Sequence, residues 1–417
     1  MIDQIDVESS MKKSVAVLVA AAIGCVAVAL CVMAWLPGAA GSATTGVVSL
    51  AAIACVLTAA GGLVAMHRQR RIATARPDLF AELNEPRSER ALLAASRPPI
   101  GAVRRWLAHS ALGHGWVAGD TVRIRSLEEI RATLDDKGQL AGLSFMEEMK
   151  PFCGRTARVY RVLDKIYDYG RSRTMRQLDQ CVLLAGLRCD GQGHGACDAA
   201  CYLIWKEAWL EKVGDSSAPF QPTPVAPSEA APSGMPGRQY SCQYTELTNA
   251  SHPHAPHFLR RWVEPWIVGN VTLPAYCVVA LTRAFNAFQE WRGGIPYPAR
   301  PRSGGQTSTI GMPLKRGDWV RVRSPAEIAG TLDANGKNRG LWFDRDMLKY
   351  CGRSFRVLGR VRQIVDIRST AMIPMKSPCI ILEDVHYSGE FQWFGEQHDY
   401  LYWREAWLQP VATPGEA

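Results

Sequence analysis

The residues best suited to chemistry are thiols. Cys189, Cys197 and Cys201 are clustered, with three residues between the last two, a spacing that zinc sites use. The segment DGQGHGA between Cys189 and Cys197 is rich in glycine. That freedom lets a loop wrap several thiolates around one cation. Cys153 is a candidate fourth ligand of a tetrahedral site, and His194 is the alternative. The chemistry expected is a zinc ion or, with thiolates alone, an iron–sulfur cluster. The competing account makes these cysteines small buried hydrophobes, because the paired C-x-x-C of the most specific zinc sites is missing.

Two arginine pairs, Arg123 with Arg125 and Arg321 with Arg323, occupy alternate positions and so share one face of a strand. Arginine binds phosphate bidentately, so these pairs are candidate binding residues, although such rows more often form a solvated outer face. A formal charge of +9 spread over 417 residues does not point to a nucleic-acid partner. No P-loop, dinucleotide fingerprint, nucleophile elbow or H-E-x-x-H occurs, and no catalytic residue is named.

The elements that position these residues come in two copies. Residues 119–213 align with 317–411 at a constant offset of 198, with 34 of 95 positions identical. GDTVRIRS (119–126) returns as GDWVRVRS (317–324), FCGR as YCGR, and YLIWKEAWL (202–210) as YLYWREAWL (400–408). Alternation at Val122 and Ile124, and at Val320 and Val322, predicts half-buried strands. Short strands with glycine-rich turns predict a mainly β fold of two tandem SH3-like small barrels. The second copy carries Tyr387, Gly395 and Asp399 where the first carries Cys189, Cys197 and Cys201. A metal, if bound, is therefore expected to be structural in the first copy. Trp205 and Trp209, with Trp403 and Trp407, are expected to plug the two cores.

Uncharged runs at 14–36 and 45–66 are each long enough to cross a bilayer core of roughly 30 Å. Lys12 and Lys13 before them and Arg68, Arg70 and Arg71 after them put both flanks in the cytoplasm. The expectation is thus an α-helical transmembrane hairpin, with a multi-pass location in a bacterial inner membrane and both termini cytoplasmic. The lipid bilayer is then one partner, and a protein at the inner face of the membrane another. The thiols would lie in a reducing compartment, which favours metal binding over disulfides.

The expected organisation is a cytoplasmic N-terminus at 1–13, the hairpin at 14–66 and a connector at 67–118. The first barrel at 119–213 is followed by a proline-rich linker at 214–238 and a helical insert at 239–316. The second barrel covers 317–411, with a tail at 412–417. Within the insert, apolar residues at near-helical spacing predict an amphipathic helix over 273–291.

EEIRATLDDKGQLAGLSFMEEMKPFCGR (128–155), RCDGQGHGACDAACYLIWKEAWL (188–210), SCQYTEL (241–247), GNVTL (269–273), GLWFDRDMLKYCGR (340–353) and PCIILEDV (378–385) are distinctive. In these motifs the chain resembles an uncharacterised family of bacterial proteins. Their genes often accompany polysaccharide or secondary-metabolite biosynthesis clusters. The resemblance implies a setting and no mechanism. Members of that family usually carry cysteines in this part of the second copy as well, and this chain departs from that pattern.

The function expected is a membrane-anchored cytoplasmic binding or assembly module. The alternative is a metal- or iron–sulfur-dependent redox enzyme centred on the first-copy cysteines. A third reading is nucleic-acid binding through the arginine-bearing strands.

Overall fold

Val122 and Ile124 turn inward and are fully buried, while Arg123 and Arg125 point outward, and this alternation makes Thr121–Ile124 a strand, β1. It pairs antiparallel with β2 (Thr156–Val162), and beyond β2 lie β3 (Cys181–Arg188) and β4 (Tyr202–Lys206). A 3-10 turn, Glu207–Trp209, reverses the chain into β5 (Leu210–Lys212) on the other side of β1. The sheet order is β4-β3-β2-β1-β5. In the second copy, β6 (Trp319–Val322) pairs with β7 (Ser354–Val365), β7 with β8 (Met372–Leu382), and β6 with β9 (Leu408–Pro410). The structure, a computed structural model, describes residues 101–213, 222, 225, 227, 237–253, 259–301, 313–392, 394 and 398–412.

The local sequence explains the repeated details. Ser126 and Glu129 form a capping box at the short helix Leu127–Arg131, and Ser324 and Glu327 form one at Pro325–Ala329. Asp135 and Asp333 each accept backbone N–H bonds two and four residues on, which closes equivalent turns. Trp205, Trp209, Trp403 and Trp407 are fully buried at the centres of the two cores. Phe145 and Phe343 meet them edge-on at equivalent positions.

Trp209 Nε1 donates to Thr133 Oγ1 at 3.0 Å and Trp407 Nε1 to Thr331 Oγ1 at 2.9 Å. Thr331→Val removes the acceptor and strands a buried N–H. It is expected to lower stability by about 1–3 kcal/mol, read as a shift of the urea midpoint at unchanged slope.

Three sequence expectations are corrected. First, each module is a half-barrel and not a closed barrel: β4 and β5 are opposite edges of their sheet, joined by a 3-10 turn and not by a ladder. In the second module the stretch matching β4 makes only isolated bridges, Ile380 with Trp403 and His386 with Tyr400. Second, the fold class included a transmembrane hairpin. No helix among the described residues is long and apolar enough to cross a membrane, and the runs at 14–36 and 45–66 lie outside the described residues. The longest described helix, Leu273–Trp291, carries Arg283, Asn286, Gln289 and Glu290 along its length. Third, the multi-pass inner-membrane location rested on that hairpin and is withdrawn with it.

Leu273–Ala299 belongs to one compact unit, and both modules belong to another. In the first, Asn286 clasps Tyr297 through two backbone bonds of 2.6 and 2.7 Å. In the second, 237–253 lies along the first module. Gln243 bridges the backbone of Ile204 on β4, and Ser251–Pro253 extends a side sheet with Met175–Leu178 and Lys165–Tyr167.

Candidate metal centre

The glycine-rich loop between β3 and β4 folds over a buried acid. Glu148, on the 3-10 helix Glu147–Phe152, accepts the Gly193 N–H at 2.9 Å and faces His194 Nδ1 at 2.7 Å. A Cβ at residue 193 would stand 2.9 Å from the Glu148 carboxylate, so any larger residue there would have to displace that side chain. The other imidazole nitrogen, His194 Nε2, lies 3.8 Å from Cys189 Sγ, and Cys197 also acts on the ring from outside the group of close ligand atoms. Glu148, Cys189 and His194 are all buried, and their ligand atoms lie within 4.8 Å of one another. This group can hold a metal ion.

Electrostatics here follow from burial and crowding. Burial works to lower the His194 pKa, but bonding to Cys189, Cys197 and Glu148 outweighs it and raises the pKa. Burial raises the Cys189 thiol. Cys201 is pushed well above the usual thiol range by burial and by Asp399, Cys197, Cys189 and Cys242 within electrostatic reach. Even with His194 beside Cys189, burial dominates and keeps these two thiols protonated. A bound metal reverses that balance by deprotonating its ligands.

The same loop is fastened to the second module. Asp198 Oδ2 accepts the N–H groups of Arg362 at 2.9 Å and Gln363 at 3.2 Å. The Gln363 amide returns two bonds, to the carbonyls of Gly195 at 3.0 Å and Ala196 at 2.8 Å. Val365 N–H points at Cys197 Sγ from 3.4 Å, and Cys197 packs against Val365 and Met372. A strand of one module thus donates to a thiol of the other.

Cys153 lies apart from this group. Its thiol faces the Met149 carbonyl, as Cys351 faces Met347, which makes it a repeated packing feature. The arginine pairs are engaged singly. Arg123 pairs with Glu211, Arg125 with Glu129 at 3.7 Å and Arg323 with Glu327 at 3.4 Å, while Arg321 bonds the Gly352 carbonyl.

Sequence reasoning missed Glu148 and Cys242. Glu148 had a signal: its counterpart Asp346 is also acidic, at the same place before the shared C-G-R. Asp346 is likewise buried, and there the cation is Lys349, 3.3 Å from Asp346 and 3.6 Å from Glu390. A second close group, His114, Asp164 and Glu264, also takes a cation from the chain, with the Lys165 ammonium 4.0 Å from Glu264.

No protein-family model matches this chain, and no curated protein matches it.

Proposed function

We propose that the chain is a two-module binding or assembly protein whose modules are locked together by one structural zinc ion. The ligands in this reading are Cys189, Cys197, Cys201 and His194 Nε2. A thiolate at about 2.3 Å and an imidazole at about 2.0 Å from a tetrahedral zinc leave sulfur and nitrogen roughly 3.5 Å apart. The 3.8 Å between Cys189 Sγ and His194 Nε2 is close to that value. Glu148 on Nδ1 then fixes the ring's orientation, the usual outer partner of a metal-bound histidine. The observation that carries the proposal is the double duty of the loop: it brings Cys189 and His194 to Glu148 and also grips β7 through Asp198.

The rival is an iron–sulfur redox centre, for which Cys242, which acts electrostatically on Cys201, is the further thiol. The nitrogen of His194 beside the sulfur of Cys189 favours zinc. Nucleic-acid binding loses ground because Arg123, Arg125 and Arg323 already face carboxylates. A polysaccharide or secondary-metabolite setting rests on the family resemblance alone.

The test is metal analysis with an absorption spectrum on the full chain purified anaerobically, beside His194→Ala and Cys242→Ser. One zinc per chain, retained in Cys242→Ser and lost in His194→Ala, is the expected result. Visible sulfide-to-iron bands that vanish in Cys242→Ser would give the redox reading first place. Absence of both metal and colour overturns both readings.

A further inference from the structure

Arg161 is 2% exposed, and none of its three guanidinium nitrogens has a hydrogen-bond partner among the described residues. An unpaired buried charge of this kind is among the costliest features a fold can carry. The fold itself does not ask for it. Arg161 follows a bulge in β2, and at the same bulge in β7 the matching residue is Gly359.

Unpaired donors gather here, together with the carboxylate oxygens Glu390 Oε1 and Asp399 Oδ1. His386 Nε2 and His398 Nε2 are both buried and unpaired. Their rings stack 6.2 Å apart, and His398 Nδ1 meets Tyr160 Oη at 2.8 Å. The Arg161 guanidinium lies 5.5 Å from the face of that same Tyr160 ring. Arg188 sits 3.8 Å over the Tyr202 ring and 4.1 Å over Tyr400, and donates to the carbonyls of Ala200 and His398. The carboxylate that acts on Arg161, Glu390, also faces the Lys349 ammonium at 3.6 Å. Burial and the neighbouring cations Arg161, Arg188 and Lys349 hold both histidines neutral, and in the Nε2–H tautomer, with Tyr160 Oη donating to His398 Nδ1, each offers that N–H as a donor.

We infer that Arg161, His386 and His398 form a buried site for a phosphate-type oxyanion between the two modules. A guanidinium with both N–H edges free, joined by two imidazole N–H groups, offers more donors than a carboxylate or halide can accept. A tetrahedral oxyanion has the oxygens to meet them. This inference does not depend on the zinc reading, since none of its three residues belongs to the proposed ligand set.

The experiment uses inorganic phosphate on the full chain, desalted free of phosphate and sulfate and held at constant ionic strength. Thermal unfolding of the wild type is expected to rise by several degrees with phosphate. Arg161→Met is expected to lose that response, as is Arg161→Gly, which copies the second module's own residue. If neither variant folds, phosphorus-31 line broadening of free phosphate by the wild type decides: broadening supports the site and its absence overturns it. A wild type indifferent to phosphate, a response to chloride alone, or an equal response in the variants overturns the assignment.

Discussion

Lys349→Met is expected to lower stability by about 3–5 kcal/mol, because it leaves Asp346 and Glu390 buried without their cation. Asp346 is held in place by Ser388, whose N–H and hydroxyl reach it at 2.8 and 2.6 Å, so it cannot swing out to water. The companion variant Lys349→Met with Asp346→Asn and Glu390→Gln is expected to regain most of the loss, since no charge is then stranded. Denaturant midpoints of the three proteins are the measurement. A loss under about 1 kcal/mol in the single variant would show that water reaches the pair. Asp346 and Glu390 raise the Lys349 pKa above its ordinary value, against the effect of burial, so the ammonium's contribution is intact at neutral pH. It fades only at alkaline pH, as the lysine loses its proton.

This result would bear on the first module as well. Glu148 and Asp346 are the same residue of the repeat, and both are buried. In one module the chain supplies an ammonium beside the acid; in the other it supplies the imidazole of His194, whose pKa is raised by Cys189, Cys197 and Glu148. The alignment offset of 198 shows why: where the second module has Lys349, the first has Pro151, which brings no charge. The two modules answer one electrostatic problem differently, the second with Lys349 and the first with His194.

Much of this was legible in the sequence, and the limits have physical causes. The duplication, the strand alternation at Val122 and Val320 and the buried tryptophans follow from periodicity, which local sequence encodes directly. Cys189 and His194 were legible because thiols clustered in a glycine-rich loop have few other uses. Glu148 was hidden because it lies 46 positions from its histidine, and only folding brings a carboxylate that far along the chain to an imidazole. The gripping of β7 by Asp198 was hidden for the same reason. Cys153 misled because recurrence as Cys351 fits a ligand or a packed thiol equally well, and only its Met149 carbonyl contact separates the two. The closed barrel was over-read because five strands with short turns describe an open half-barrel as well as a shut one.

Chelation of the proposed metal in the intact protein is expected to speed amide exchange at Arg362, Gln363 and Val365 by at least about 100-fold, near 2.7 kcal/mol of lost protection. These three N–H groups point at Asp198 Oδ2 and Cys197 Sγ and so report on the loop from the far side of the contact. Val322, whose N–H bonds Arg353 within the second module's own sheet, serves as the internal control and is expected to change little. If all four amides speed up together, the metal supports global folding and not a local lock. If none responds, Asp198 and Gln363 hold the modules together unaided. Asp198→Asn then separates the contributions. It keeps the shape but replaces a carboxylate acceptor by a weaker amide oxygen, and in the metal-loaded protein it should raise exchange at Arg362 and Gln363 far more than at Val365. The thiolate of a metal-bound Cys197 remains a strong acceptor for that last N–H, and so Val365 is the amide whose protection should depend on the metal most directly.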